Sequence, residues 1–103
     1  MLEEASVHYD RVKIDIRDEA SKANPALRAA SPLGKVPALE DGMVKIWDSG
    51  AICAYIADQY PANKLAPPIG HPQRGAYLMW LMFTNSALEP AMLEKFSNLP
   101  PAP

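Results

Sequence analysis

A single cysteine, Cys53, stands in the 103 residues. No disulfide can form within such a chain, and the ligand spacing of a structural zinc site is missing. A reducing, cytoplasmic setting is the natural reading. An excess of basic charge is lacking too. Lys and Arg number 10 against 12 Asp and Glu, for a net charge of -2, with no basic run. That leaves no electrostatic footprint for nucleic acid and no attraction to an anionic membrane surface. Long apolar runs are also absent. The most apolar stretch, AYLMWLMF, covers 8 residues, where a membrane span needs about 20. The N-terminus, MLEEASVHYD, has neither the basic n-region nor the apolar h-region of a signal peptide. Histidine is scarce, and His8 and His71 are isolated. His71 is better placed to cap a helix or sit in solvent than to bind metal.

What is plentiful is proline, with 11 residues unevenly spread. Pro61, Pro67, Pro68 and Pro72 punctuate one stretch, and Pro100, Pro101 and Pro103 close the chain. At 49% hydrophobic and 21% charged residues, the rest is ordinary for a soluble globular protein.

The segment YDRVKIDI alternates, with Val12, Ile14 and Ile16 on one side and Arg11, Lys13 and Asp15 on the other. This predicts a half-buried strand. The polar stretch that follows reads as a loop holding a short helix over 25–30, with Pro25 in its first turn. VPALE and MVKIW flank Asp41-Gly42, a hairpin signal in which both turn positions take positive φ. In DSGAICAYIADQYP, Asp48 or Ser49 can cap a helix. Ile52, Tyr55, Ile56 and Tyr60 share one face of it, and Pro61 stops it. PANKLAPPIGHP reads as a linker. Pro72 then suits the first turn of a long helix that is apolar over most of its girth and should be buried on more than one side, with Pro90 kinking or ending it. NLPPAP reads as a frayed tail.

Pro37 interrupts the first arm of the hairpin. A proline there fits an exposed edge strand, a bulge, or a cis bond that presents the preceding backbone to a ligand. Eleven residues later the hairpin delivers Asp48-Ser49 to a helix start, where N–H groups and the helix dipole favour an anion. Val36 could offer its N–H and C=O to an extended peptide, as an added strand would receive them. A short peptide carrying a carboxylate at one end would bridge the two. Asp48-Ser49 is also a plain helix cap, and the two roles are compatible. Cys53, one turn into the helix, reads as a small core or interface residue, without the CxxC partner of a redox site. Tyr77, Trp80 and Phe83 read as core or interdomain packing, or as one edge of a pocket between domains.

PLGKVPALEDG followed by DSGAICAYIADQYP resembles the N-terminal domain of glutathione transferases: a Gly-x-Val-Pro-Ala-Leu strand, an Asp-Gly turn, an acidic-Ser pair and a Ser-x-Ala-Ile helix start, in that order. RGAYLMWLMFTNSALEPAML resembles the first helix of the same family's all-helical second domain. The resemblance implies an α/β, thioredoxin-like, glutathione-binding domain over 1–62, a linker over 63–71, and the start of a helical domain over 72–103. It implies Pro37 as the cis residue, with Val36 before it holding the cysteinyl backbone of glutathione. Ser49 would hold the γ-glutamyl carboxylate, Asp48 would help with the ammonium, and Lys35 would lie beside a glutathione carboxylate. Glutathione as cosubstrate, an electrophilic small molecule as the second substrate, and a homodimer follow from the same likeness.

Against the family pattern, the first strand and most of the first helix are not present before Leu2. The Tyr, Ser or Cys that activates the glutathione thiol belongs to that region, so no residue here inherits a catalytic role. Ser6 and Tyr9 fall after the expected first helix and are not promoted. The chain therefore reads as a fragment of a larger transferase, inactive by itself. Loss of the strand between RVKIDI and VPALE would leave unpaired backbone along both. Within the enzyme class a maleylacetoacetate isomerase is a sub-option. A non-catalytic transferase-like binding or regulatory module is the alternative, and a thioredoxin or glutaredoxin is disfavoured by the missing CxxC.

Overall fold

The computed structural model describes residues 1–97. The NLPPAP tail lies outside the described residues. The chain divides into two compact units, one ending at Leu65 and one starting at Ala66.

The first unit opens with a single turn. Ala5 N–H donates to Met1 C=O at 2.9 Å and Val7 N–H to Leu2 C=O at 3.2 Å, and Ser6 takes a left-handed φ of 57° that ends the turn. This turn delivers Ala5 to the core, and Asn63 Nδ2 ties it down by donating to Ala5 C=O at 2.9 Å. A chain of short elements follows. Helix α1 spans Glu19–Lys22, capped by Asp18, whose Oδ1 accepts from Ala20 N–H at 3.0 Å. Helix α2 spans Pro25–Ala30, with Asn24 as its N-cap and Pro25 at the first position, where a missing N–H costs nothing. Strands β1 (Leu39–Asp41) and β2 (Val44–Ile46) form an antiparallel pair, Leu39 opposite Ile46 and Asp41 opposite Val44. Helix α3 spans Ser49–Gln59, and a 3-10 turn over Pro61–Asn63 follows it.

The core gathers on α3. Ala5, Ile52 and Ile56 are buried together, with Leu2, Val7, Leu39, Ile46, Tyr55, Tyr60 and Leu65 packed around them. The 3.6-residue period of α3 puts Ile52 and Ile56 on the inward stripe, with Tyr55 and Tyr60 at its margins.

Three expectations for this unit are corrected. Residues 9–16 form no strand. The segment makes no backbone ladder, and Val12 and Ile16 stay about 60% exposed. Alternation specifies a strand only where a neighbour takes up its N–H and C=O groups, and among the described residues none lies alongside. The sheet is consequently two-stranded. The hairpin turn is shifted by one residue. Asp41 pairs within the strand, and the loop is Gly42-Met43, with positive φ at Gly42 alone (59°). Glycine at the first of two loop positions is the type II′ pattern, which needs one left-handed residue and not two. Finally, Pro37 precedes the ladder, which starts at Leu39, so no donor is missing from the sheet.

The second unit is dominated by one helical rod. Pro67 C=O accepts from Arg74 Nη1 at 2.8 Å, and His71 caps the approach, its Nδ1 accepting from Gln73 N–H at 3.0 Å. Helix α4 spans Arg74–Phe83 and starts two residues after Pro72, so that proline lies outside its first turn. A π-helical turn, Thr84–Leu88, leads without a break into α5 (Glu89–Phe96). Pro90 therefore does not end the helix; it is the second residue of α5, directly after the π turn. An imide nitrogen cannot donate, and its ring collides with the carbonyl four residues back. The wider π turn just ahead of it absorbs both problems, with Glu89 N–H donating to Thr84 C=O.

The expected burial of this helix is also corrected. No described residue of α4 or α5 is buried. Trp80 is 59% exposed, and Phe83 and Leu93 are exposed as well. Trp80 and Phe83 meet edge to face at 5.5 Å, and the Arg74 guanidinium lies 5.0 Å from the Tyr77 ring centre. A helix apolar all round needs neighbours on several sides, and the described residues of this unit supply no second helix to pack against it.

Candidate functional site

The loop from α2 to β1 carries Lys35, Val36 and Pro37. Its start is tightly held. Ser31 closes α2, its N–H donating to Leu27 C=O at 2.6 Å, and it is fully buried. The Ser31 hydroxyl oxygen accepts from Lys35 N–H at 2.9 Å, and Gly34 N–H donates to Ser31 C=O at 2.8 Å. Gly34 has φ of 70°, in the left-handed region that favours glycine. The Val36–Pro37 peptide bond is cis. Both residues are exposed and line an open cleft of about 750 Å³ in the first unit, whose wall also includes Tyr9, Ile14, Leu39 and Tyr55.

At the far end of the hairpin sits the start of α3. Asp48 is extended (φ -120°, ψ 130°), and its Oδ2 accepts from Ala51 N–H at 2.9 Å while its C=O accepts from Ile52 N–H at 2.8 Å. Of the two sequence candidates for the cap, the structure selects Asp48. Ser49 becomes the first helical residue and is half-buried. Its hydroxyl and N–H sit where the helix dipole places partial positive charge, a favourable spot for a carboxylate.

The five candidate residues thus fall in two groups joined by β1 and β2. Val36 and Pro37 face the cleft; Lys35, Asp48 and Ser49 do not line it. Cys53 is half-buried in α3. Tyr9 donates to Glu3 Oε1 at 2.8 Å, and that hydrogen bond, with the Glu3 charge, pushes its phenol above the ordinary tyrosine range. A phenol so committed is not set up to stabilise a thiolate. Two contributors to the site region drew no notice in the sequence, Arg28 and Ser31. Both act through backbone carbonyls and amides, contacts that leave no side-chain motif to read.

A small α/β unit whose hairpin runs from a cis-proline loop to a helix N-terminus, followed by an apolar helix, is a thioredoxin-like domain leading into an α-domain. The family model for the glutathione S-transferase N-terminal domain matches residues 1–58, and the chain belongs to that family. It is 34% identical over 93 residues to a probable glutathione S-transferase GSTF2 of Oryza sativa subsp. japonica, covering 89% of this chain and 42% of that protein. It is 32% identical over 105 residues to glutathione S-transferase F10 of Arabidopsis thaliana, covering 99% and 47%. Among solved structures, a sphingomonad glutathione S-transferase complexed with glutathione matches with a TM-score of 0.78 at 34% identity, over 98% of this chain and 49% of that one. The chain therefore spans a little under half the length of these relatives.

Proposed function

We propose that this chain binds glutathione with the loop Lys35-Val36-Pro37 at one end and the Asp48-Ser49 helix start at the other. The reading divides the chain into a glutathione-binding domain over 1–62, a linker over 63–71 and the start of a helical domain from 72. The Val36 backbone N–H and C=O take the cysteinyl residue as an added strand would be taken. Ser49 takes the γ-glutamyl carboxylate at the positive end of α3, Asp48 faces the ammonium, and Lys35 faces a second carboxylate. The parent activity is attack of the glutathione thiolate on an electrophilic small molecule, in a cytoplasmic homodimer. No residue of this chain is assigned to thiol activation, so by itself it is read as a binder and not a catalyst.

One observation carries the reading: the glutathione-bound sphingomonad transferase matches this chain over 98% of its length at 34% identity. Titration calorimetry of the full chain with glutathione tests it. The expected result is saturable binding, weakened about tenfold by Ser49→Ala, as for loss of a hydrogen bond to a charged group. Absence of binding by the unaltered chain overturns the reading and favours a transferase-like module without a glutathione site.

A further inference from the structure

The loop that presents Val36 is braced by two residues that the proposed function leaves without a role. Arg28 projects from α2 across the following loop. Its Nε donates to Lys22 C=O at 3.2 Å and its Nη1 to Pro32 C=O, also at 3.2 Å. The guanidinium thus ties the turn before α2 to the turn after it. It also lies against Gly34: a Cβ added there would sit 2.9 Å from Arg28 Cζ and Nη1, closer than real side chains approach. Ser31 holds the other side of the same loop. It is fully buried, and its one hydroxyl accepts from Lys35 N–H, the amide directly before Val36. A buried serine in a small core costs desolvation that only such a hydrogen bond offsets. A rigid fork satisfied by two carbonyls orders more backbone than a flexible ammonium would.

We propose that Arg28 and Ser31 are positioning residues for glutathione. They fix the Ser31–Lys35 loop so that the Val36 backbone is set before the peptide arrives. The affinity for glutathione then depends on side chains that never touch it, because the loop's ordering entropy is lost on folding and not on binding. The inference rests on the glutathione reading above and adds to it a specific source of affinity.

Calorimetry of the full chain with glutathione tests it on Arg28→Ala, Ser31→Ala and Ser31→Thr, with the folded fraction of each fixed by circular dichroism. The expected result is a dissociation constant about tenfold weaker for the two alanine variants at equal folded fraction. Millimolar methylguanidinium restores Arg28→Ala, and Ser31→Thr, which keeps the hydroxyl, binds more tightly than Ser31→Ala. In Ser31→Ala, amide exchange accelerates at Lys35 while the amides of α3 hold their rates. A merely structural role would speed exchange across the unit and leave the affinity of the folded fraction unchanged, and that outcome overturns the proposal. If the unaltered chain fails to bind glutathione, the site reading itself fails and the inference falls with it. If the unaltered chain binds and both alanine variants bind equally well, the site reading stands and the positioning role is rejected.

Discussion

The phenol of Tyr55, midway along α3, donates a 2.6 Å hydrogen bond to Oδ2 of Asp41, the last residue of β1. This bond joins the hairpin to the helix that packs beneath it, across 14 residues of sequence. It depends on the turn chemistry. Because the loop is Gly42-Met43, Asp41 stays in the strand, where Tyr55 can reach it. The hydrogen bond to Asp41 is the main reason the Tyr55 phenol is raised above its ordinary value, followed by partial burial and the Asp41 charge.

The sign of the resulting pH dependence follows from which form donates. The neutral phenol makes the bond, and a phenolate beside the Asp41 carboxylate would be repelled. Tyr55 in the folded chain therefore ionises above the value of about 10 expected for the unfolded chain. Its contribution to stability is complete below about pH 10 and is lost as pH climbs through the raised folded value. An ultraviolet phenolate titration should show two late-ionising tyrosines, Tyr9 and Tyr55, of which one moves earlier in Asp41→Asn and is lost in Tyr55→Phe while the other stays. A Tyr55 that ionises at or before the ordinary value would mean that the helix and hairpin are not linked by this bond.

The small core makes a second prediction. Ile56 is 2% exposed and stands with Ala5 and Ile52 at the centre of the first unit. Replacing it by alanine removes buried methyl groups and leaves a cavity, at a cost of about 2–5 kcal/mol. A core this size rarely supplies more than about 3–5 kcal/mol in total. Ile56→Ala should therefore abolish the cooperative melt of the first unit in circular dichroism. The control is Met43→Ala, at a residue 99% exposed in the hairpin loop, which should leave the melt unchanged. Equal melts for the two variants would show that the core is not organised around Ile56.

How far the sequence could be read is clearest at three places. The helix over 25–30, the hairpin and α3 were legible because each carries its own signals: Asn24 before Pro25, a glycine in the turn, Asp48 ahead of an apolar stripe. The alternation over 9–16 does not become a strand because a strand's hydrogen bonds come from elsewhere in the chain, and alternation says nothing about whether a neighbour is there. Burial of α4 was misjudged for a related reason. Composition shows that a helix seeks partners, not that it has them. At the candidate site, the proline loop and the helix start are both visible in the sequence. The brace of Arg28 and Ser31 is not, since its partners are main-chain atoms of Lys22, Pro32 and Lys35.

The π turn ahead of Pro90 makes the last prediction. In an α-helix, residue 90 would donate to the Ser86 carbonyl; proline cannot, and its ring would press against that oxygen. The chain widens over Thr84–Leu88, and Thr84 Oγ1 and Ser86 Oγ donate back to Trp80 C=O and Met82 C=O, each at 2.8 Å. Two causes are thus available for one bulge, the proline after it and the hydroxyls within it. Pro90→Ala restores the missing donor, so the turn should relax to α geometry and the rod should gain up to about 3 kcal/mol in helix stability. Amide nuclear magnetic resonance would show the Ser86 carbonyl newly paired with Ala at 90, and circular dichroism a rise in helicity. If the π turn survives in Pro90→Ala and relaxes instead in a Thr84→Ala, Ser86→Ala double variant, the hydroxyls and not the proline are what widen the helix.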